Sequence, residues 1–224
     1  MNIVGIIQAR IGSKRLPLKM MLSLNGHPII KWVVERVKTA NLLNDTVIAI
    51  PNTKDNNILD YYLKTLKMKI YRGSEENVLK RIYEAAKMMK ASHVVRICAD
   101  NPFIAGDEID NLVDFYCNNS CDYAYNHIPK LNNYPNGFGA EIVSYKTLEY
   151  LYQIAKNKEH LEHCFTYIHD NPTHFSIKTF NVKNQEIAYP DLKLDVDTFN
   201  DYFNLSTKNI GLYMTTSEIV KNLL

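Results

Sequence analysis

Short apolar runs alternate with amphipathic segments through the first half of this chain, and that alternation constrains its fold more than any other feature. Ile3 to Ala9 is an apolar run that ends at Arg10, Gly12 and Ser13, so it reads as a buried strand entering a loop. After Pro28, IIKWVVERVKTA places Ile29, Trp32, Val33 and Val37 on one helical face, with Lys31, Glu35 and Lys38 opposite. TVIAIP reads as a second strand, residues 55–66 as a helix, and Ile70-Tyr71 as a brief third strand. Ser74 is expected to cap a helix running through VLKRIYEAAKMMK, with Asn77 at its third position. HVVRICAD is a fourth strand, and Asp107 opens the next helix. Strands spaced by helical patterns of roughly 10–15 residues mark βαβ units. The expected fold is therefore α/β, Rossmann-like, with helices in layers on both faces of a mostly parallel sheet.

The beat breaks after Asp122. Residues 126–139 are rich in Asn, Pro, Gly and Tyr, as in a long loop or hairpin insertion. GAEIVSY follows as a strand, with helices at about 145–156 and 159–170, then strands HFSIKTFNV and LKLDV and a helix from Thr198. No internal repeat or interdomain linker interrupts this order, so residues 1–224 read as one domain with an irregular insertion arm at 126–180.

Composition narrows the partners. A chain of 224 residues with 46% hydrophobic content can bury a core without disulfides or a structural metal. The balance of 26 basic against 24 acidic residues argues against an electrostatic nucleic-acid binder. No run approaches the roughly 18 apolar residues of a membrane span. MNIVGIIQAR lacks a charged start or a small-residue cleavage site, so no signal peptide is expected. Cys98, Cys117, Cys121 and Cys164 fit no common zinc or redox spacing and read as reduced thiols of a cytoplasmic protein.

Ligands of open parallel sheets sit beyond the carboxyl ends of the strands. The first such end, QARIGSKRLPLKM, carries Arg10, Lys14, Arg15 and Lys19, with Gly12 and Ser13 offering backbone amides. Cations with a nest of N–H donors suit a polyphosphate; a basic, solvated turn is the plainer alternative. The Walker G-x-x-x-x-G-K loop and the G-x-G-x-x-G fingerprint are both absent. Asp100 and Asp197 each close an expected strand, where they could share a magnesium ion or cap the following helix. Asp195, two residues before Asp197, is expected to hold a structural position. Arg81 is either a solvent-facing helix residue or a nucleotide contact. His160, His163 and Cys164 would share a helical face near His169, but no second cluster completes a zinc set.

IIQARIGSKRLPLK resembles the N-terminal signature of the cytidylyltransferases that make CMP-activated sugars, above all the spore-coat-polysaccharide-type branch related to the CMP-ketodeoxyoctonate and CMP-sialic-acid synthetases. RGSEENVLKRIYEAA, VRICADNPFI, EHCFTYIHDNP and LDVDTFNDY resemble later segments of that family, in family order from residue 3 to about 202. The resemblance implies a nucleotidyltransferase that couples CTP to a sugar acid or a phosphorylated sugar or polyol and releases pyrophosphate. It implies triphosphate contacts at Arg10, Ser13, Arg15 and Lys19, with Lys14 at a position that varies between branches. Ala9, Gly12, Arg72, Ser74, Arg81 and Ala99 complete the nucleotide side. Asp100 and Asp197 would hold Mg2+ and, with Arg10 and Lys19, carry the catalysis. Glu141, Glu162 and His163 would face the acceptor, and the arm would also serve a homodimer contact. Nucleic acid and membranes are not expected partners. Three departures stand out: Ala99 where Gly is common, Phe199-Asn200 in place of Pro-Glu, and Gly139 where relatives often carry Asp. The alternatives are a glycosyltransferase of related fold, whose Asp-x-Asp motif would here have to be the late Asp195–Asp197, and a catalytically degenerate nucleotide-binding module.

Overall fold

Five of the six residues of β1 (Ile3–Gln8) are buried, because this strand has neighbours on both edges and helices on both faces. The computed structural model describes residues 1–224. A two-stranded antiparallel hairpin, β2 (Ser23–Leu24) and β3 (His27–Pro28), leads into α1 (Ile29–Val37). The βαβ rhythm continues with β4 (Asp45–Pro51), α2 (Asn57–Thr65), β5 (Lys69–Gly73), α3 (Val78–Met88), β6 (His93–Cys98) and α4 (Gly106–Asn118). β7 (Tyr123–Tyr125), β8 (Glu141–Ser144), α5 (Tyr145–Ile154), α6 (Lys158–Glu162), α7 (Thr166–Asp170) and β9 (Ile177–Lys178) follow. The chain closes with α8 (Phe199–Ser206) and α9 (Thr216–Leu223).

The main sheet has seven strands in the order β5-β4-β1-β6-β8-β7-β9. β5, β4, β1 and β6 are mutually parallel, and β8 runs against both of its neighbours. Period-two alternation along the strands feeds two separate cores. Ile3, Ile7, Ile48, Ile50, Val95 and Ile97 pack with Trp32 and Val33 of α1, Leu59 of α2 and Leu112 of α4. Val4, Ile6, Val47, Ala49 and Val94 pack with Leu79 and Ile82 of α3, Leu148 of α5 and Ile168 of α7. The result is the three-layer α/β/α sandwich that the sequence predicts. No helix is long and apolar enough to cross a membrane.

Four local expectations are corrected. Asn77, not Ser74, caps α3: its Oδ1 accepts from the Lys80 amide at 2.7 Å, while Ser74 Oγ accepts from the Asn77 amide at 3.0 Å. The helix expected over 159–170 breaks into α6 and α7, because Cys164 and Phe165 turn fully into the core between them. Only Ile177 and Lys178 of HFSIKTFNV pair as strand, and Phe180 instead stacks on Phe115 of α4. LKLDV lies outside the sheet; Leu194 donates to the Asn136 carbonyl and Val196 to that of Asp100.

Residues 126–140 are pinned to α4 rather than free. Asn126 donates to the Glu108 carbonyl and accepts from the Ala140 amide, and the Tyr134 hydroxyl donates to Glu108 Oε2 at 2.6 Å. Gly139 is required here, since a Cβ at that position would lie 2.2 Å from the Asn126 carbonyl oxygen.

Candidate active site

At the carboxyl ends of β1, β5 and β6 four segments meet: residues 9–19, residues 73–76, the Asp100 turn and residues 193–197. The first loop is set by backbone anchors. Ala9 donates to the Ala49 carbonyl, Ile11 to Asn56 Oδ1, and Leu16 to Ser13 Oγ. Leu18 takes a left-handed conformation, φ 58°, and turns the chain into a short 3-10 helix that begins at Lys19.

Lys19 is buried, and its ammonium is the centre of the site. Nζ donates to the Val196 carbonyl at 2.8 Å and lies 3.2 Å from both Asp100 Oδ2 and Asp197 Oδ1. Arg15 Nη2 reaches the same Asp197 oxygen at 2.9 Å. Arg10 Nη2 contacts Glu162 of α6 at 3.3 Å. Lys14 and Gly12 are exposed at the tip, and a Cβ on Gly12 would lie 3.7 Å from Glu75 across the cleft.

Asp197 is free for this cluster because its neighbours do the capping. Thr198 caps α8, and Asp201 closes a capping box while also accepting from the Asp197 amide and pairing with Lys193 at 2.8 Å. Although burial opposes it, these donors hold the Asp201 carboxyl down to about 2. Asp195 accepts from Asn136 Nδ2 and pairs with Lys193, the structural role expected for it. Two carboxylates on one ammonium form the donor chemistry of a hard divalent cation, held through few protein ligands and completed by other oxygens.

Beneath this cluster lies a buried polar floor that sequence reading did not single out. Gln8 of β1 and Cys98 of β6 sit in register, with Arg96 two residues back on the same face. Arg96 Nε donates to Gln8 Oε1 at 2.9 Å, and its Nη1 pairs with Glu141 of β8. Glu141 also accepts from the Tyr123 hydroxyl at 2.6 Å and lies 3.7 Å from His127 Nε2. Burial disfavours charge on both partners, yet their mutual attraction outweighs it. Arg96 stands well above the usual arginine value, and Glu141 stands below its ordinary range. Burial pushes the Cys98 thiol up to about 12. The available signal was Arg96 itself, a charge between apolar neighbours in the central strand VVRIC. Glu141, expected as an acceptor contact, thus lies in the floor as Arg96's partner.

Arg81 is fully buried, which excludes the solvent-facing reading. Its Nη1 donates to the Ser74 carbonyl and so braces the loop after β5, while Nε and Nη2 have no protein partner. Burial lowers its pKa to about 10, with Arg10 and Arg96 adding repulsion. Arg72 donates to the Thr53 carbonyl at 2.8 Å and lies 3.8 Å from Asp60, turned toward α2. Ala99 is buried and contributes backbone, its amide donating to the Gln8 carbonyl. Glu162 is brought to the cleft by Arg10, and His163 is exposed beside it at the break between α6 and α7. That break separates the candidate zinc ligands: His160 pairs with Asp170 at 2.7 Å, and His169 faces the Tyr123 hydroxyl. A cavity of about 290 Å³ lined by Lys38, Leu43, Thr46 and Lys69 opens at the amino ends of β4 and β5, away from this cleft.

Residues 4–213 match the family model described as Cytidylyltransferase. The uncharacterized protein MJ1063 of Methanocaldococcus jannaschii is 34% identical over 203 residues, covering 90% of this chain and 81% of that protein. The spore coat polysaccharide biosynthesis protein SpsF of Bacillus subtilis is 29% identical over 222 residues, covering 97% and 88%. Among solved structures, a cytidylyltransferase from Leptospira borgpetersenii superposes with a TM-score of 0.88 at 25% identity, covering 99% of this chain and 93% of that one.

Proposed function

The chain belongs to the cytidylyltransferase family, and on that premise we propose that it transfers the cytidylyl group of CTP to an anionic sugar acceptor, releasing pyrophosphate. The acceptor class is a keto-sugar acid or a phosphorylated sugar or polyol, and the product is a CMP- or CDP-activated sugar for a surface polysaccharide or glycan. Likeness to a spore coat polysaccharide protein over nearly the whole chain supports that product class. The observation that carries the reading is the convergence of Lys19 and Arg15 on Asp100 and Asp197 at the carboxyl edge of the sheet.

The acceptor oxygen attacks the α-phosphorus of CTP, the bond to the bridging oxygen breaks, and pyrophosphate leaves. Arg10, Arg15 and Lys19 supply fixed positive charge for the triphosphate, with the Gly12 amide and the Ser13 hydroxyl as further loop donors. Asp100 and Asp197 fit Mg2+, because their oxygens already share one cation, the Lys19 ammonium. When bound, that ion would neutralise phosphate charge. Arg81 braces the Gly73–Glu76 loop over the nucleotide, and Glu162 and His163 face the acceptor. Arg10, Arg81 and Arg96 set against Glu141 and Glu162 leave a positive excess that suits an anionic acceptor. The arm at 126–180 lines the acceptor side and contacts a second copy in a homodimer.

The test is a pyrophosphate-release screen of CTP, ATP, GTP and UTP against keto-sugar acids and sugar and polyol phosphates. CTP with at least one anionic sugar should yield stoichiometric pyrophosphate. Sugar transfer from a ready-made nucleotide sugar, with no pyrophosphate, would overturn the reading in favour of a glycosyltransferase.

A further inference from the structure

We propose that Lys19 is a resident counter-cation, occupying the Asp100–Asp197 pair until a nucleotide draws it away, so that a divalent ion enters with the nucleotide and not before it. This inference rests on the functional reading above. Its basis is geometric. The Lys19 ammonium makes three contacts, at 2.8 Å to the Val196 carbonyl and 3.2 Å to each carboxylate. Arg15 adds a second cation on the same Asp197 oxygen at 2.9 Å. Two cations therefore balance two carboxylates, and the free site is neutral and internally satisfied.

Two carboxylates brought this close need a positive partner, because like charges side by side otherwise resist joint ionisation. A hard divalent ion would use those same oxygens. Entering the nucleotide-free site, it would have to displace Lys19 and would face two unpaired positive charges. A triphosphate changes that balance. It carries about four negative charges near neutral pH and offers the cations new partners. Lysine suits the exchange: its ammonium is a compact point charge on a flexible stem, able to swing between partners. Once Lys19 and Arg15 turn to phosphate, the carboxylate pair keeps two negative charges for one divalent ion. The coupling is reciprocal, so the metal must strengthen nucleotide binding by the factor that nucleotide strengthens metal binding.

The device also explains why the buried lysine sits on these two acids rather than on Asp195 or Asp201. The surrounding positions do not require that charge: Asp201 is satisfied by Thr198 and Lys193, and Asp195 by Asn136 and Lys193. Arg10 provides an internal control. It lies in the same loop with the same charge, yet it pairs with Glu162 and touches neither Asp100 nor Asp197.

The experiment measures Mn2+ binding to the full-length protein without nucleotide, from the free-ion electron paramagnetic resonance signal. Lys19→Met should bind Mn2+ roughly tenfold or more tightly than wild type, because the competing cation is gone. Arg10→Met should shift the affinity less than about threefold, since it removes a charge that does not sit on the carboxylates. Adding Asp197→Asn to Lys19→Met should return affinity to the wild-type level. Lys19→Gln, whose amide can still donate to the Val196 carbonyl, carries the same expectation and stands in if the methionine variant fails to fold. Equal Mn2+ affinity in wild type and the Lys19 variants overturns the proposal, as does an equally large gain in Arg10→Met. A wild type that releases pyrophosphate but shows that equality overturns this inference alone. A wild type that releases none with any acceptor counts against the functional reading and leaves the Mn2+ comparison decisive in its own right.

Discussion

Val196 donates its backbone amide to the carbonyl oxygen of Asp100 at 2.8 Å, and this bond sets the following residue, Asp197, beside Asp100. The two acids are far apart in sequence, one after the central strand β6 and one from an irregular segment outside the sheet. Lys19 then bridges them from the first loop. Three segments distant in sequence are thus locked into one charged cluster by one backbone bond and one side chain.

Removing either carboxylate should abolish chemistry while sparing the fold. Asp100→Ala and Asp197→Ala each leave Lys19 one acidic partner, and both positions are partly exposed, at 33% and 27% of the side chain. Pyrophosphate release from CTP should fall by about 100-fold to 1,000-fold in each, a loss typical of removing one group that balances developing charge. Circular dichroism and the melting temperature report whether the fold survives, and near-normal turnover in both variants would sink the metal assignment.

The Arg96–Glu141 pair should behave as a buried ion pair. Arg96→Met strands Glu141 among Tyr123 and His127 and should destabilise the protein by about 3–5 kcal/mol in urea unfolding. Arg96→Met with Glu141→Met removes both charges and should recover more than half of that loss. If the double variant is no more stable than the single, the ion pair is not the source of the effect.

Acid should act through the same carboxylate. Glu141 has a folded pKa depressed below its ordinary 4.5, so its contribution to stability is fully present above pH 4.5. It is lost as pH falls through the lower folded value, where the folded state must also take up the proton. Asp201, held to about 2, adds an effect of the same sign across a lower window, from its ordinary 3.8 downward. Glu141→Gln should flatten the decline in urea stability between pH 5 and 3. A wild-type slope retained in that variant would place the acid sensitivity elsewhere.

Gly139→Asp should fail here. The new Cβ would meet the Asn126 carbonyl oxygen at 2.2 Å, and Asn126 is itself bonded to Glu108 and Ala140. A loss of at least about 2 kcal/mol is expected from this overpacking, read from the melting temperature. A fully stable variant would show that the 126–140 segment can shift away from α4.

The sheet and its helices were legible because β1, β4 and β6 are largely buried on both faces and so read as short, mainly apolar runs, and because α1 to α4 carry clear apolar stripes. The loop cations and the two acids were legible as residues, since charge at a strand end is conspicuous. Their convergence was not, because LKLDV reads as a strand but joins no sheet: its backbone bonds go to Tyr189, Asn136 and Asp100, on different segments. The break at Cys164 was hidden by a sequence compatible with one continuous helix, until burial of Cys164 and Phe165 decided it. Arg81 could face solvent or protein by periodicity alone, and only packing beside Gly73 and Ser74 resolves it. Arg96 was visible in VVRIC, but its partner Glu141 arrives on the antiparallel strand β8, a pairing that no local pattern encodes.

The most direct test of the central claim is pyrophosphate formation by wild type and Asp197→Ala, with CTP and with each other nucleoside triphosphate, across the acceptor panel and a divalent metal titration. Pyrophosphate is expected from CTP with an anionic sugar, dependent on a divalent ion and lost in Asp197→Ala. Undiminished formation in the presence of a chelator, or in Asp197→Ala, would contradict it.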